Sequence, residues 1–180
     1  MKLVFPTLAY KEKAMEFINE FYEYDSEING VGALHWFLKE FTYEAWLEKV
    51  LADIDIANVE ADRVPALTYF FVREEDDRIL GMINLRLALN DFLRTEGGHI
   101  GYSIRPTERR KRYGTRMLRE ALKVYDRLSI NEVLLSCSCE NPASAGVIQN
   151  CGGVLLDEFY SETFQENIQK YAIYRKEQPV

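Results

Sequence analysis

The sequence predicts an α/β (α+β) fold, with a mixed, mostly antiparallel central sheet flanked by helices, in the order β-α-α-β-β-β-α-β-α-β-β. Three observations carry this expectation. Apolar residues recur at helical spacing in two early segments. From Ala66 onward the pattern changes to short β-branched and aromatic runs separated by turn residues. Between residues 99 and 137 an amphipathic helix lies between two strand patterns, the unit expected to form a right-handed parallel crossover.

Each element has its own signal. Lys2 to Phe5 is a short strand candidate. Ala14, Phe17, Ile18, Phe21 and Tyr22 recur every three or four residues, which predicts an amphipathic helix over 8–24. Asn29-Gly30 with Gly32 marks a loop. Thr42 suits an N-cap, and Trp46, Leu47, Val50, Leu51 and Ile54 form the apolar stripe of a second helix. Ala66 to Val72 is apolar, aromatic and β-branched, so it reads as a strand. Glu74 to Asp77 is a polar turn, and Ile79 to Leu89 resumes with Leu85, Leu87 and Leu89 in alternation, completing an antiparallel hairpin. Gly97-Gly98 opens a strand over His99 to Ile104, closed by Arg105-Pro106. Met117, Leu118, Ala121, Leu122, Tyr125 and Leu128 then share one helix face. Val133 to Cys137 reads as a buried strand and Ala143 to Asn150 as a short helix ended by Gly152-Gly153. Val154 to Tyr160 and Gln169 to Tyr174 are the last strands.

The 180 residues, 47% hydrophobic and 13% aromatic, suit one domain spanning 1–180 with a substantial core. No apolar run approaches the roughly 20 residues of a membrane helix, and the start of the chain is too weakly apolar for a signal peptide, so a cytoplasmic location is expected. The net charge of −7 disfavours nucleic acid and anionic membrane as partners and mildly favours a cationic acceptor such as an amine. Cys137, Cys139 and Cys151 read as reduced thiols. Cys137 and Cys139 share a strand face, but two ligands without a nearby Cys/His pair are a poor metal site, and no metal is expected.

The chemistry concentrates in Gly101 to Leu118. A strand enters a basic loop, Arg109-Arg110-Lys111-Arg112, followed by Tyr113-Gly114-Thr115 at a helix start. Free N–H groups at a helix N-terminus attract anions, and a pyrophosphate suits that geometry. A solvated basic turn is the plain alternative. Four cations at the positive end of a helix dipole work against it, however, unless an anion joins them.

This segment resembles motif A of the GNAT superfamily of acetyl-CoA-dependent N-acetyltransferases, whose signature is Arg/Gln-x-x-Gly-x-Gly/Ala. Here it reads Arg109-Arg-Lys-Arg-Tyr-Gly114. Ile104-Arg-Pro106, the helix to Leu128, the strand at Val133 to Cys137, and Asn141-Pro-Ala-Ser144 leading to Gly152-Gly153 are similar in order and spacing. The resemblance covers roughly residues 65–175. It implies acetyl-CoA as cosubstrate, with a cofactor site formed by Ser103, Ile104, Arg109, Arg110, Lys111, Arg112, Tyr113, Gly114, Thr115, Asn141 and Ser144. Backbone near Tyr102 to Ile104 would pair with the pantetheine arm like an added strand, and one of its N–H groups would polarise the thioester. Arg112 replaces the first signature glycine. An allowed backbone there, with its guanidinium over a phosphate, is the expectation, and Gly114 is expected to admit close approach of the main chain to the pyrophosphate. Asn141 also suits a plain helix N-cap.

The implied activity is acetyl transfer to a primary amine of a small molecule or a peptide or protein, by direct attack in a ternary complex. A catalytically idle CoA sensor of the same fold is the alternative, because the tyrosine that many relatives use as acid falls at Ile148. Cys151 or Tyr160 would be substitutes. His99 occupies the region where some relatives carry a base and is the candidate catalytic residue. His35 reads as structural. The loop from Tyr24-Asp25 to Trp36 is the expected acceptor side, with Asp25 or Glu27 to receive a cation. Monomer and homodimer both remain open.

Overall fold

β2 (Ala66–Arg73) and β3 (Arg78–Arg86) are the β-branched, aromatic runs on either side of the acidic turn, and they pair antiparallel from Ala66↔Arg86 to Arg73↔Arg78. The structure, a computed structural model, describes residues 1–175; the end of the expected single-domain span, 176–180, lies outside the described residues. β1 (Lys2–Val4) pairs with the free side of β2, and β4 (Ile100–Ile104) with the free side of β3, giving the order β1-β2-β3-β4. β5 (Glu132–Ser138), β6 (Val154–Ser161) and β7 (Glu166–Tyr174) form a second sheet in the order β5-β7-β6. Among the described residues every ladder is antiparallel.

Leu80 is an extra residue in β3, since Phe71 opposes Gly81 while Val72 opposes Ile79. The bulge reverses which face successive side chains take. Ile79 and Met82 therefore join the core beneath α1 (Lys11–Glu23), α2 (Leu34–Glu40) and α3 (Tyr43–Ala52). Leu80, Ile83 and Leu85 join a second core beneath α4 (Tyr113–Arg127) and α5 (Pro142–Gln149), which also takes Val133, Leu135, Tyr171 and Ile173 from the second sheet. No helix among the described residues is long and apolar enough to cross a membrane.

Four details differ from the sequence reading. The segment expected as one helix over 8–24 is a 3-10 turn, Leu8–Tyr10, followed by α1. α2 was expected to be loop; it starts from Ala33 in the left-handed region without a capping side chain, so it carries none of the usual start signals. β3 ends at Arg86, one step beyond which the Leu87 N–H still donates to the Pro65 carbonyl, and Leu89 lies outside the strand. Leu128 caps α4 and is 47% exposed, because the helix ends one residue before it.

The crossover also differs. β4 and β5 form no ladder; the His99 N–H donates to the Leu134 carbonyl at 2.7 Å, and from that point the two sheets separate. The gap between them is the principal architectural feature around which the site is built.

α1 is fastened to the far end of β4 by a buried charge. Arg105 is fully buried; its Nε donates to the Ile79 carbonyl at 2.8 Å, and its Nη1 to Glu16 at 2.9 Å and Glu20 at 2.8 Å. The other oxygen of Glu20 accepts from the Thr107 N–H at 3.0 Å and hydroxyl at 2.8 Å. This carboxylate thus orients the entry to the basic loop. Truncating one partner of a buried pair leaves the other charge uncompensated. Glu20→Ala is expected to lower unfolding free energy by about 3–5 kcal/mol. A urea titration showing a loss below about 1 kcal/mol would mean that Glu16 and solvent hold Arg105 without it.

Candidate active site

In an antiparallel ladder the peptide groups of alternate residues point to opposite edges. The Arg86 N–H donates to the His99 carbonyl at 2.8 Å and the Arg105 N–H to the Leu80 carbonyl at 2.9 Å, so the odd-numbered residues of β4 face β3. Tyr102 and Ile104 therefore turn their N–H and C=O groups into the gap. The Ile104 carbonyl accepts from Arg109 Nε at 3.1 Å; the Tyr102 groups and the Ile104 N–H have no partner among the described residues. Ser103 does not share this exposure. Its backbone faces Met82, and its hydroxyl donates to the Asn29 carbonyl and accepts from the Asn29 N–H, both at 2.7 Å. Ser103 is an anchor for the loop over 29–32, not an open edge.

The basic loop divides into unlike parts. Arg109 folds back, with Nη2 on the Ser26 hydroxyl at 2.7 Å and its guanidinium over Phe21, and so braces the turn against α1. Lys111 pairs with Glu108 at 2.8 Å. Arg110 and Arg112 are exposed, and their side chains have no protein partner among the described residues. The backbone N–H groups from Arg110 through Thr115 are likewise unpaired there. Arg110 and Arg112 both have φ near +61°, and Arg112 at ψ 16° is the N-cap of α4. A left-handed residue running into a helix gathers successive N–H groups into a concavity that suits an anion. The allowed-region expectation for Arg112 is thus overturned: it sits where glycine is favoured. Gly114 has a packing role as well. A methyl group there would lie 2.9 Å from Val147 Cγ2, so this glycine lets α4 approach α5.

Asn141 caps α5, its Oδ1 accepting from the Ser144 N–H at 3.0 Å. The Ser144 hydroxyl bonds the Tyr102 hydroxyl at 2.9 Å, joining α5 to β4 on the side of the gap. Ile148 is fully buried in the core. The Cys151 thiol faces the Thr115 carbonyl and burial pushes its pKa up, while Tyr160 is 51% exposed on β6. Neither hydrogen-bonds Tyr102, and Cys137 and Cys139 join no group of potential metal ligands, among the described residues.

On the other face of β3 and β4 lies a cavity of about 480 Å³, lined by Thr68, Asn84, Arg86, His35, Lys49 and Asp53 among others. Its size suits a small ligand. The loop from Ile28 to Ala33 forms one wall, as expected for an acceptor side, but Asp25 and Glu27 are exposed and not part of the lining. Gly30, at φ +68°, rests on the peptide between Gly101 and Tyr102, so closely that a methyl group would collide with both. The cavity thus abuts the strand whose far edge opens into the gap. His35 and Arg86 are the residues that sequence reasoning missed. Burial, then the nearby Lys39 charge, lowers the His35 pKa, and its Nδ1 is buried without a partner. Neither carries a motif; each is recognised only by what surrounds it.

His99, the expected base, is instead a clasp. Its Nδ1 accepts from the Leu134 N–H at 2.9 Å while its own N–H donates to the Leu134 carbonyl, so the imidazole substitutes for a carbonyl at the one point where the sheets join. The ring is 8% exposed and stacks edge-on against Tyr125, and the cavity lining does not include it. Burial first, then the charges of Arg86 and Arg94, push its pKa down to about 4. Such a ring is already neutral at pH 7 and commits its Nδ1 lone pair to Leu134.

A model of the acetyltransferase (GNAT) domain family matches residues 12–154. No curated protein sequence matches the chain. Among solved structures, the microcin C7 self-immunity acetyltransferase MccE in complex with acetyl-CoA and AMP is similar, with a TM-score of 0.69 and 16% identity over 96% of this chain and 91% of that one. The ribosomal-protein α-N-acetyltransferase RimL, in complex with coenzyme A, gives 0.70 and 13% over 98% and 94%. A chimera of the Vibrio cholerae spermidine N-acetyltransferase SpeG with hSSAT gives 0.62 and 14% over 97% and 96%. These likenesses establish a shared fold.

The clasp has a testable pH signature. A histidine whose folded pKa lies below its unfolded value, ~6.5, contributes stability that is fully present above the unfolded pKa. It is lost as pH falls through 6.5 toward about 4. His99→Ala leaves the Leu134 N–H without its acceptor and is expected to cost about 1–3 kcal/mol at pH 7. The variant should also lose stability less steeply than the parent between pH 6.5 and 4. Equal slopes in pH-resolved melting would remove the clasp.

Proposed function

The chain belongs to the acetyltransferase (GNAT) family and is an acyltransferase, and from that premise we propose that residues 1–180 form one domain that transfers an acetyl group from acetyl-CoA to a primary amine. Acetyl-CoA is the cosubstrate and supplies the activated acetyl group as a thioester. The acceptor is an amine of a small molecule or a peptide, attacking in a ternary complex: the C–N bond forms as the C–S bond breaks.

One observation carries the reading. On one continuous stretch of chain, the Tyr102 N–H and C=O and the Ile104 N–H, unpaired among the described residues, are followed by unpaired N–H groups from Arg110 through Thr115. Coenzyme A has the matching chemistry, a pyrophosphate joined to an extended arm that carries two amides. The N–H array and the start of α4 bind the pyrophosphate, with Arg110 and Arg112 adding charge. The β4 edge takes the arm as an added strand, and a donor there polarises the thioester carbonyl. The Asn141 Oδ1 caps α5, and its NH₂ has no partner among the described residues. With Ile148 sealed in the core, the departing thiolate takes its proton from solvent. The amine enters from the cavity behind Gly101.

Two measurements test this. Acetyl-CoA at ~100 times its Kd is expected to add roughly 2.7 kcal/mol to the unfolding free energy. An unchanged Tm with acetyl-CoA and CoA at millimolar concentration would end the proposal. Arg112→Gly separates backbone from side chain at the loop. Removing a side chain from the left-handed region relieves about 1–2 kcal/mol of strain, so the free protein should melt higher. Calorimetry should give acetyl-CoA affinity within a few-fold of the parent, because the N–H array persists. A loss beyond tenfold would transfer the phosphate contact to the guanidinium.

A further inference from the structure

The cavity is lined by three cations and two carboxylates, Asp53 and Asp62, and two of the cations are ion-paired. Lys49 pairs with Asp53 at 2.6 Å and Arg63 with Glu60 at 3.2 Å. Arg86 has no carboxylate within ion-pair reach among the described residues. Its Nη1 donates to the carbonyls of Gly97 at 3.0 Å and Gly98 at 2.8 Å, and its Nε and Nη2 carry no hydrogen bond. Two carbonyls need no more than a neutral amide donor. Beyond these two carbonyls, a partly buried guanidinium has no partner among the described residues to offset the solvation it loses. Burial indeed lowers the Arg86 pKa, as expected of a cation that lacks its anion.

Position narrows the ligand further. Arg86 Nη2 lies 3.6 Å from where a methyl group on Gly101 would sit. Gly101 is bonded to Tyr102, whose N–H opens on the proposed thioester path. An anion held by the free side of the guanidinium would therefore lie about one residue's width from the reaction centre. Asn84 and Thr68, bonded to each other at 3.0 Å, add polar groups to the same floor. We propose that the acceptor is a small amine with a carboxylate within a few bonds of its nitrogen, an α-amino acid or close analogue, and that Arg86 holds the carboxylate. This rests on the acetyl-transfer reading and names the acceptor class within it. The cation has a second effect, since a positive charge beside the amine disfavours the ammonium form and eases its deprotonation.

The test is a matched acceptor series assayed with acetyl-CoA and the full chain: alanine, phenylalanine and glutamate, each against its α-amide and its decarboxylated amine. The acids are expected to exceed the neutral counterparts about 10- to 100-fold in kcat/KM, the range of one charge-assisted hydrogen-bonded contact, with most of the difference in KM. Arg86→Gln keeps a donor for Gly97 and Gly98 and should erase the preference. The wild-type comparison stands without it should that variant fold poorly. Amides or simple amines used as well as the acids would overturn the inference while leaving acetyl transfer intact. Should no amine be acetylated, the transfer reading fails separately, and melting of the CoA complex decides the inference. Acids that raise Tm where amides do not sustain it, and no difference overturns it.

Discussion

A peptide group without a partner is costly inside a protein, and β4 carries several along one edge. The edge stays open because β5, the strand that would cover it, is hydrogen-bonded to this segment only through Leu134 and His99 among the described residues. The rest of the molecule answers to that separation. His99 uses its imidazole as a surrogate carbonyl so that the sheets meet at one point without zipping together. The Tyr102 and Ser144 hydroxyls join β4 to α5 across the side of the gap, and Arg105 with Glu20 fixes the far end of β4 to α1. A ladder in place of the gap would satisfy the edge internally and leave nothing for a ligand to pair with.

Charge is distributed by the same logic. Arg105 is the more deeply buried cation, yet it is met by two carboxylates and the Ile79 carbonyl and serves the fold. Arg109 and Lys111 look equivalent to Arg110 and Arg112 in the sequence, but they are consumed by contacts with Ile104, Ser26 and Glu108. What remains unspent is a pair of exposed arginines beside free N–H groups and one guanidinium in the cavity. The open edge belongs to β4, and the cavity is separated from the same strand by Gly30, which rests on the Gly101–Tyr102 peptide.

The glycines that matter act through close approach. Gly30 lets a loop rest on the peptide after Gly101, and Gly114 lets α4 settle against Val147. In both cases the requirement comes from a partner distant in sequence, so neither role can be read from neighbouring residues. The left-handed Arg112 shows the converse. Its conformation is imposed by the turn and is filled by a residue that dislikes it, held by the surrounding loop and helix.

Local patterns determined most of the architecture. Helical spacing placed α1 and α3, alternation and the acidic turn placed the hairpin, Thr42 and Asn141 marked helix starts that the structure caps as expected, and the basic loop before Gly114 marked the helix start most suited to an anion. These features depend on residues a few positions apart, whose geometry is set by backbone periodicity. Only the tertiary structure decided that His99 is a clasp, that Ser103 binds a loop, that two of four basic residues are occupied, and that Arg86 lines the cavity without an ion-pair partner among the described residues. Each of those outcomes turns on a partner found far along the chain: Leu134 for His99, Asn29 for Ser103, Ser26 for Arg109, and for Arg86 no carboxylate among the described residues. A sequence states which groups a residue can offer; the fold decides which of those offers is already taken.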